Sequence, residues 1–184
     1  MRKRVLAVGS SRRVLRALTS ALLEAGFDAQ WTSAIAAASR RFQPGSVDLV
    51  AFGRGVGDED RRRLKSDFLR GNPAVLFVDG LAPMIPLLVA QVESAFSSQL
   101  RDARLVRQVA SSGGELSVGV RDDCDVEVTL YRLDRLYRTH RDTLFSRRVS
   151  SGTQCIPLDR RAARRGLKFA VVRANATEVA IAAL

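Results

Sequence analysis

The chain has 184 residues, 46% of them hydrophobic, and its 30 basic against 19 acidic side chains give a net charge of +11. This composition supports a buried core and excludes a disordered chain, and no apolar run reaches the roughly 18–20 residues that cross a membrane. Arginines interrupt the N-terminal apolar stretch, which argues against a signal peptide and favours a cytoplasmic protein. Two cysteines and one histidine are too few for a disulfide framework or a zinc site, so we expect no metal and no cofactor.

The first half of the chain alternates short apolar runs with helical patterns. Continuous apolar runs are typical of strands covered on both faces, and apolar residues spaced three and four apart indicate helices that bury one side. The predicted strands are Val5–Val8, Phe27–Thr32, Val47–Phe52 and Ala74–Val78, and the predicted helices are Val14–Ala25, Ser33–Phe42, Asp58–Arg70 and Pro86–Leu100. Such alternation predicts an α/β fold with a parallel sheet and right-handed crossovers.

The second half of the chain changes to a strand pattern with period two. Six short runs separated by turn residues predict a small all-β, sandwich-like domain of antiparallel strands. The runs are Leu116–Val120, Val126–Leu130, Thr143–Val149, Thr153–Leu158, Leu167–Arg173 and Glu178–Ala182. We therefore expect an α/β domain over residues 1–100, a linker over residues 101–114 that contains the Ser-Ser-Gly-Gly segment, and a β domain over residues 115–184.

The first half resembles the receiver domains of response regulators. The resemblance covers residues 3 to about 98. It rests on Lys3–Val8, on the Leu-Leu-Glu-Ala-Gly-Phe segment at Leu22–Phe27, and on the later runs Asp48–Phe52 and Pro73–Val78. It implies a flavodoxin-like sheet. In that family an acidic pair after the first strand binds magnesium, and an aspartate at the end of the third strand accepts a phosphoryl group. A Thr or Ser closes the fourth strand, and a lysine follows the fifth strand.

None of these functional residues carries over to the present sequence. The acidic pair falls on Gly9 and Ser10, the acceptor aspartate on Gly53, and the hydroxyl position on Val78 or, with a shift of one, on Asp79. The lysine has no counterpart, because about seven residues separate the fourth strand from the last helix and predict a sheet truncated after its fourth strand. Phosphoryl transfer needs clustered carboxylates for the cation and a carboxylate nucleophile. We therefore expect a pseudo-receiver without enzymatic activity, which regulates independently of phosphorylation through protein–protein interaction.

The segment Gly9–Arg13 also has the features of an anion site. It lies where a strand passes into a helix, a place where backbone N–H groups face bound phosphates. Ser10, Ser11, Arg12 and Arg13 are the residues that would bind the anion. The alternative is a capped helix with its arginines in solvent. The Gly-Arg-Gly-Val-Gly segment at residues 53–57 also follows a strand, but it lacks the full glycine spacing of a nucleotide loop and is interpreted as a mobile loop.

Arginines interleave with tyrosines between Tyr131 and Arg141. Arginine beside an aromatic ring suits phosphate contact and base stacking on single-stranded nucleic acid. The residues that would make these contacts are Arg132, Arg135, Arg138 and Arg141. The alternative is a charged strand edge that guards against aggregation. The expected partner is thus a protein, with nucleic acid or a phosphate ligand as the alternative, and a homodimer stays open.

Overall fold

The computed structural model of the chain describes residues 2–80, 84–99, 104–112, 114–134, 138–158 and 167–184. The chain divides into two compact units, Met1–Ala95 and Phe96–Leu184. We call them the α/β unit and the β unit. In the described residues, no helix combines the length and apolar character needed to cross a membrane.

The α/β unit alternates strands and helices from its first residues. The strands are β1 (Arg4–Val8), β2 (Asp28–Thr32), β3 (Leu49–Phe52) and β4 (Leu76–Asp79). The helices are α1 (Arg12–Glu24), α2 (Ala38–Arg41), α3 (Asp58–Gly71) and α4 (Ile85–Ser97). Short 3-10 turns lie at Ile35–Ala37 and Pro44–Ser46.

The four strands form one parallel sheet in the order β2-β1-β3-β4. The central strand β3 is buried along its whole length, and so is β1 beyond Arg4, which explains why both appear in the sequence as continuous apolar runs. The prediction of an α/β fold with a parallel sheet is confirmed. The strand order is that of the first four strands of a flavodoxin-like sheet, with which this unit is consistent.

The helices follow the capping and spacing rules that the sequence displays, with one exception. Ser11 is the N-cap of α1, and Gly26 follows that helix with a φ of +90°, a conformation that favours glycine. The predicted helix over Ser33–Phe42 is wrong in extent, because only α2 and the preceding 3-10 turn form. The Thr32 hydroxyl accepts a hydrogen bond from the Ala34 N–H at 3.1 Å, which favours a turn there, and Ala38 is the one buried residue of α2.

The described residues of the β unit form seven strands in two antiparallel sheets. The strands are β5 (Val106–Ser112), β6 (Glu115–Val120), β7 (Cys124–Leu133), β8 (Thr139–Val149), β9 (Gly152–Pro157), β10 (Leu167–Ala174) and β11 (Glu178–Ala183). One sheet has the order β11-β10-β7-β8 and the other β5-β6-β9. Both sheets supply the same hydrophobic core, with Leu116 and Val118 from one and Val128 and Val172 from the other. The antiparallel all-β prediction for this half agrees with the structure.

Part of the predicted linker over residues 101–114 is strand rather than linker. Residues 106–112 form β5, which pairs with β6 through a turn where Gly114 has a φ of +82°. The pairing shifts between Val106 and Gln108, a bulge that breaks the period-two alternation. This break removes the period-two signal that indicates a strand, while serine and glycine in Ser-Ser-Gly-Gly favour a connection.

Candidate functional site

Three glycines lie side by side at the carboxyl end of the parallel sheet. Gly9 follows β1, Gly53 follows β3 and Gly80 follows β4. The Gly53 N–H donates to the Val8 carbonyl at 2.8 Å, and the Gly80 N–H donates to the Phe52 carbonyl at 2.9 Å. The three therefore form one row just beyond the last paired residues of the strands, and we call it the glycine row. A Cβ on Gly80 would lie 3.1 Å from the Leu88 side chain, so α4 approaches closely there.

A cleft of about 180 Å³ opens above the glycine row. Val14 and Leu15 of α1 and Leu88 of α4 form its apolar walls, and Ser10, Ser11, Arg54 and Gly55 add the remaining lining. The sheet order reverses at this position, because β2 lies on one side of β1 and β3 on the other. Ligands of open α/β sheets bind outside the carboxyl ends of the strands at such a switch point. The cleft is therefore the candidate site of this unit.

Two of the four residues predicted to bind an anion line the cleft. The Ser11 hydroxyl caps α1 by accepting the Val14 N–H at 3.5 Å. Ser10 packs directly against Gly55, because a Cβ at Gly55 would displace the Ser10 hydroxyl from its present position. Arg12 instead donates from Nε to the Ser33 hydroxyl at 3.4 Å, and Arg13 is exposed; neither lines the cleft.

Arg54 is the residue that sequence reasoning missed. It lines the cleft, it is exposed, and its side chain has no hydrogen bond or ion pair within the described part of the chain. Its sequence signal was the Gly-Arg-Gly-Val-Gly segment after the third strand. Only the parallel pairing of β1 and β3 shows that this loop and the loop after the first strand face the same cleft.

Three of the four residues at the degenerate receiver positions lie together in the cleft, and the fourth does not. Gly9, Ser10 and Gly53 all line the cleft, whereas Val78 is buried one row below it and pairs with Ala51. The register places Gly80, rather than Val78, beside Gly53. None of the described lining residues carries a carboxylate. Backbone N–H groups, hydroxyls and one guanidinium suit a small anion or a polar group, whereas a hard divalent cation prefers carboxylate oxygens.

Asp79, the alternative hydroxyl position, belongs to a separate charged cluster at the end of β4. Its carboxylate lies 3.3 Å from Arg61 Nε and 3.4 Å from Lys65 Nζ, both on α3. These two cations also lie within 6 Å of the ring centroid of Phe52. The cluster ties α3 to the sheet, so Asp79 is occupied by structural contacts. Among the described residues, no three His, Cys, Asp or Glu side chains are grouped closely enough to hold a metal ion.

The arginines predicted to contact nucleic acid have different surroundings. Arg132 donates to Asp142 at 2.6 Å, and Arg141 lies 3.9 Å from Glu127. Arg138 is exposed, and Arg135 lies outside the described residues. Of the two tyrosines in the predicted motif, Tyr131 is only 5% exposed and is therefore not available to stack on a base, and Tyr137 lies outside the described residues. The described part of this segment thus offers charge but not the stacking ring that the motif needs.

No family model matches the sequence, and neither does any curated protein. Among solved structures, the chain is similar to the lactose-specific IIB component domain of the phosphoenolpyruvate:carbohydrate phosphotransferase system from Streptococcus pneumoniae. The identity is 17% and the TM-score 0.40, over 56% of this chain and 100% of that one. This likeness is too low to support an argument about function. The parallel four-stranded sheet is consistent with a flavodoxin-like fold, and no receiver family is shown for the chain.

Proposed function

We propose that the chain is a phosphorylation-independent regulatory protein, in which a pseudo-receiver unit and a small β unit act by binding a protein partner. The glycine row carries this proposal. A phosphorylatable receiver needs a carboxylate nucleophile and carboxylates for magnesium at the carboxyl ends of its strands. The corresponding positions here carry Gly9, Ser10 and Gly53, and the acid at the end of β4, Asp79, is paired with Arg61 and Lys65.

The first test is chemical. Incubation with acetyl phosphate and magnesium should leave the intact mass unchanged, while a phosphorylatable receiver treated in parallel gains one phosphoryl group. Acid-labile phosphate on Asp48, Asp58 or Asp79 would contradict the proposal.

The second test concerns the partner. An affinity pull-down of the full chain, treated with nuclease, should retain a discrete protein at a defined stoichiometry. Loss of every partner after nuclease treatment, together with steeply salt-dependent binding to mixed-sequence DNA or RNA, would favour the nucleic-acid alternative, because each neutralised phosphate releases a counterion.

A phosphate-bearing small ligand in the cleft is the second candidate, favoured by the surroundings of Arg54. The Arg54 guanidinium has no partner in the described residues, and it lines the same cleft as the Ser10 hydroxyl and the N-terminal end of α1. An anion there would accept hydrogen bonds from groups that now face open space. Because the walls are apolar, the ligand would combine a small anionic group with an apolar body.

Inorganic phosphate is the first probe for this candidate. Added phosphate should raise the Tm of the wild type and shift the backbone amides of the loop after β1. Arg54→Ala should abolish both effects, and Arg13→Ala, an exposed arginine outside the cleft, should preserve them. An equal Tm rise in the wild type and in Arg54→Ala would contradict a cleft site.

A further inference from the structure

Strand β8 is an unusually long and exposed edge strand. Its eleven residues, Thr139–Val149, exceed the usual range of 3–10, and within the described residues it pairs only with β7. Every position is exposed or half-buried until Val149 at its end. An edge of this kind leaves backbone N–H and C=O groups free to pair with another extended chain, which proteins normally prevent with short or covered edges.

The backbone geometry identifies which residues of β8 face the open edge. The Asp134 N–H donates to the Arg138 carbonyl at 3.1 Å, which places this pair in the hydrogen-bonded set of the ladder. Hydrogen-bonded and non-bonded pairs alternate along antiparallel strands. The N–H and C=O groups of Thr139, Arg141 and Thr143 therefore point away from β7 and toward the open edge.

The charged side chains of β8 are mostly basic. The strand carries Arg141, Arg147 and Arg148 besides His140, against the single acid Asp142, which accepts a hydrogen bond from Arg132 on β7. Arg141 lies 3.9 Å from Glu127 and His140 lies 2.9 Å from Asp134, so both of these basic groups have acidic partners. Arg147 lies over the Phe145 ring at 4.6 Å, and neither Arg147 nor Arg148 has an ion pair within the described residues. Within the described residues, the unpaired charge of β8 is therefore that of Arg147 and Arg148, and it is positive.

A groove of about 240 Å³ borders the C-terminal half of β8. Arg147 and Arg148 line it together with Arg173 of β10, and Asp125 and Glu127 of β7 lie along the same groove. A side chain entering this groove meets the guanidinium groups of Arg147 and Arg148, which suit a carboxylate.

We propose that β8 is a docking edge for an acidic, extended segment of a partner protein, which adds to the sheet as a further strand beside β8. This inference rests on the proposed function as a protein-binding module and names the surface and the chemistry of the partner. Added strands gain affinity from backbone hydrogen bonds and specificity from alternate side chains. A second copy of β8 is disfavoured because like charges would face each other across the new pair. A nucleic acid is also disfavoured. Its phosphate oxygens accept hydrogen bonds and would leave the outward carbonyl groups of β8 without donors, and the buried Tyr131 ring cannot stack on a base.

The probe is a fluorescein-labelled ten-residue peptide of alternating Glu and Val, with alternating Lys and Val as the charge control. Fluorescence anisotropy with the full chain should show binding of the Glu peptide that weakens with salt, and none of the Lys peptide. On binding, amide shifts should concentrate in residues 139–149.

Two variants separate the contribution of backbone hydrogen bonds to peptide binding from the contribution of charge. Thr143→Pro removes an outward N–H, which an edge strand tolerates, and should weaken peptide binding at least tenfold. Arg147→Glu combined with Arg148→Glu should do the same by reversing the charge at the groove. Arg13→Glu, an exposed arginine on α1, is the matched control and should leave binding unchanged. Far-UV dichroism and burial of the Cys124 thiol verify that each variant is folded.

Several results would overturn the docking edge: no binding of the Glu peptide, equal binding of folded Thr143→Pro, or displacement of the peptide only by single-stranded nucleic acid. Dimerisation through β8 in place of peptide binding would also overturn it. A natural partner whose capture survives both variants would refute this surface and leave the proposed function intact. Phosphorylation by acetyl phosphate would refute the proposed function without affecting the peptide result.

Discussion

The two units of this protein differ in where their unpaired arginines lie. In the α/β unit, Arg61 joins Lys65 in pairing with Asp79 and covering Phe52, so these charges stabilise packing. In the β unit, Arg147 and Arg148 lie on an edge strand without ion pairs in the described residues. In the cleft of the α/β unit, Arg54 lies without an ion pair in the described residues, beside backbone and hydroxyl groups and between apolar walls. A net charge of +11 therefore does not by itself show which arginines lack ion pairs, and the structure does.

The units also differ in what holds them together. The α/β unit depends on helix residues such as Phe68 that are buried in one cluster with the sheet. The β unit additionally uses Glu178, whose carboxylate accepts the backbone N–H groups of Leu105 at 2.6 Å and Val106 at 2.9 Å. This carboxylate ties β11 to the start of β5. Variants in the two units should therefore differ in how they destabilise the fold as well as in how much stability they remove.

The largest expected effect is that of Phe68→Ala in the α/β unit. Phe68 is fully buried, and truncating such a ring costs about 3–5 kcal/mol through lost burial and the cavity left behind. Urea unfolding followed by Trp31, the single tryptophan of the chain, measures the loss. The neighbour Leu69 is 43% exposed, so Leu69→Ala is the matched control and should change stability far less.

The same Phe68→Ala variant tests whether the two units are independent. Cys124 is buried in the β unit, and this burial, followed by the charges of Glu178 and Asp125, raises its thiol pKa. In a Cys155→Ser background, its slow reaction with a thiol reagent reports opening of the β unit. We expect Phe68→Ala to leave that rate unchanged, and a parallel acceleration would show that the units unfold together.

Glu178→Ala should destabilise the β unit by about 2–3 kcal/mol, because two backbone N–H groups lose an ionised acceptor. Faster hydrogen exchange at Leu105 and Val106, together with a lower urea midpoint, would check it. Glu115→Ala removes an exposed glutamate of β6 and should have little effect. Equal losses in the two variants would mean that the carboxylate does not hold β5 in place.

Ser39→Ala should cost about 1 kcal/mol in a pH-dependent manner. The Ser39 hydroxyl donates to Asp67 at 2.7 Å, and this bond is the main cause that lowers the Asp67 pKa below 3.8, with Arg70 contributing. A depressed pKa stabilises the fold above pH 3.8, and that stability is lost as pH falls through the folded pKa. The difference between wild type and variant should therefore shrink in acid. Ser20→Ala, whose hydroxyl bonds an exposed Glu24, should show no such trend.

The smallest expected effect is the coupling between Arg132 and Asp142. The pair is close, at 2.6 Å, but the Asp142 side chain is 50% exposed. Pairs exposed in this way contribute about 0–1 kcal/mol, and salt screens them. A double-mutant cycle in low and high salt measures the coupling. A coupling well above 1 kcal/mol that persists in high salt would mean that the pair is a structural element of β7 and β8.

The sequence by itself predicted the class of both halves. Continuous apolar runs such as Leu49–Phe52 indicate strands buried on two faces, and the apolar spacing of α1 indicates a helix that buries one side; both patterns depend only on local geometry. The predictions of strands and helices from the sequence were wrong where a local pattern was interrupted. The bulge in β5 hid a strand, and an Ala-rich stretch without enough apolar surface did not extend as a helix beyond α2.

What tertiary structure alone decided is which distant residues share a surface. The parallel register brings Gly9, Gly53 and Gly80 into one row, although they are far apart in the chain, and it places Arg54 in the cleft and Val78 beneath it. The antiparallel order leaves β8 at an edge. Local propensity determines strands and helices, whereas strand order and register depend on long-range packing. The sequence therefore indicated which residue types this protein offers, and the fold decided which of them are free to bind.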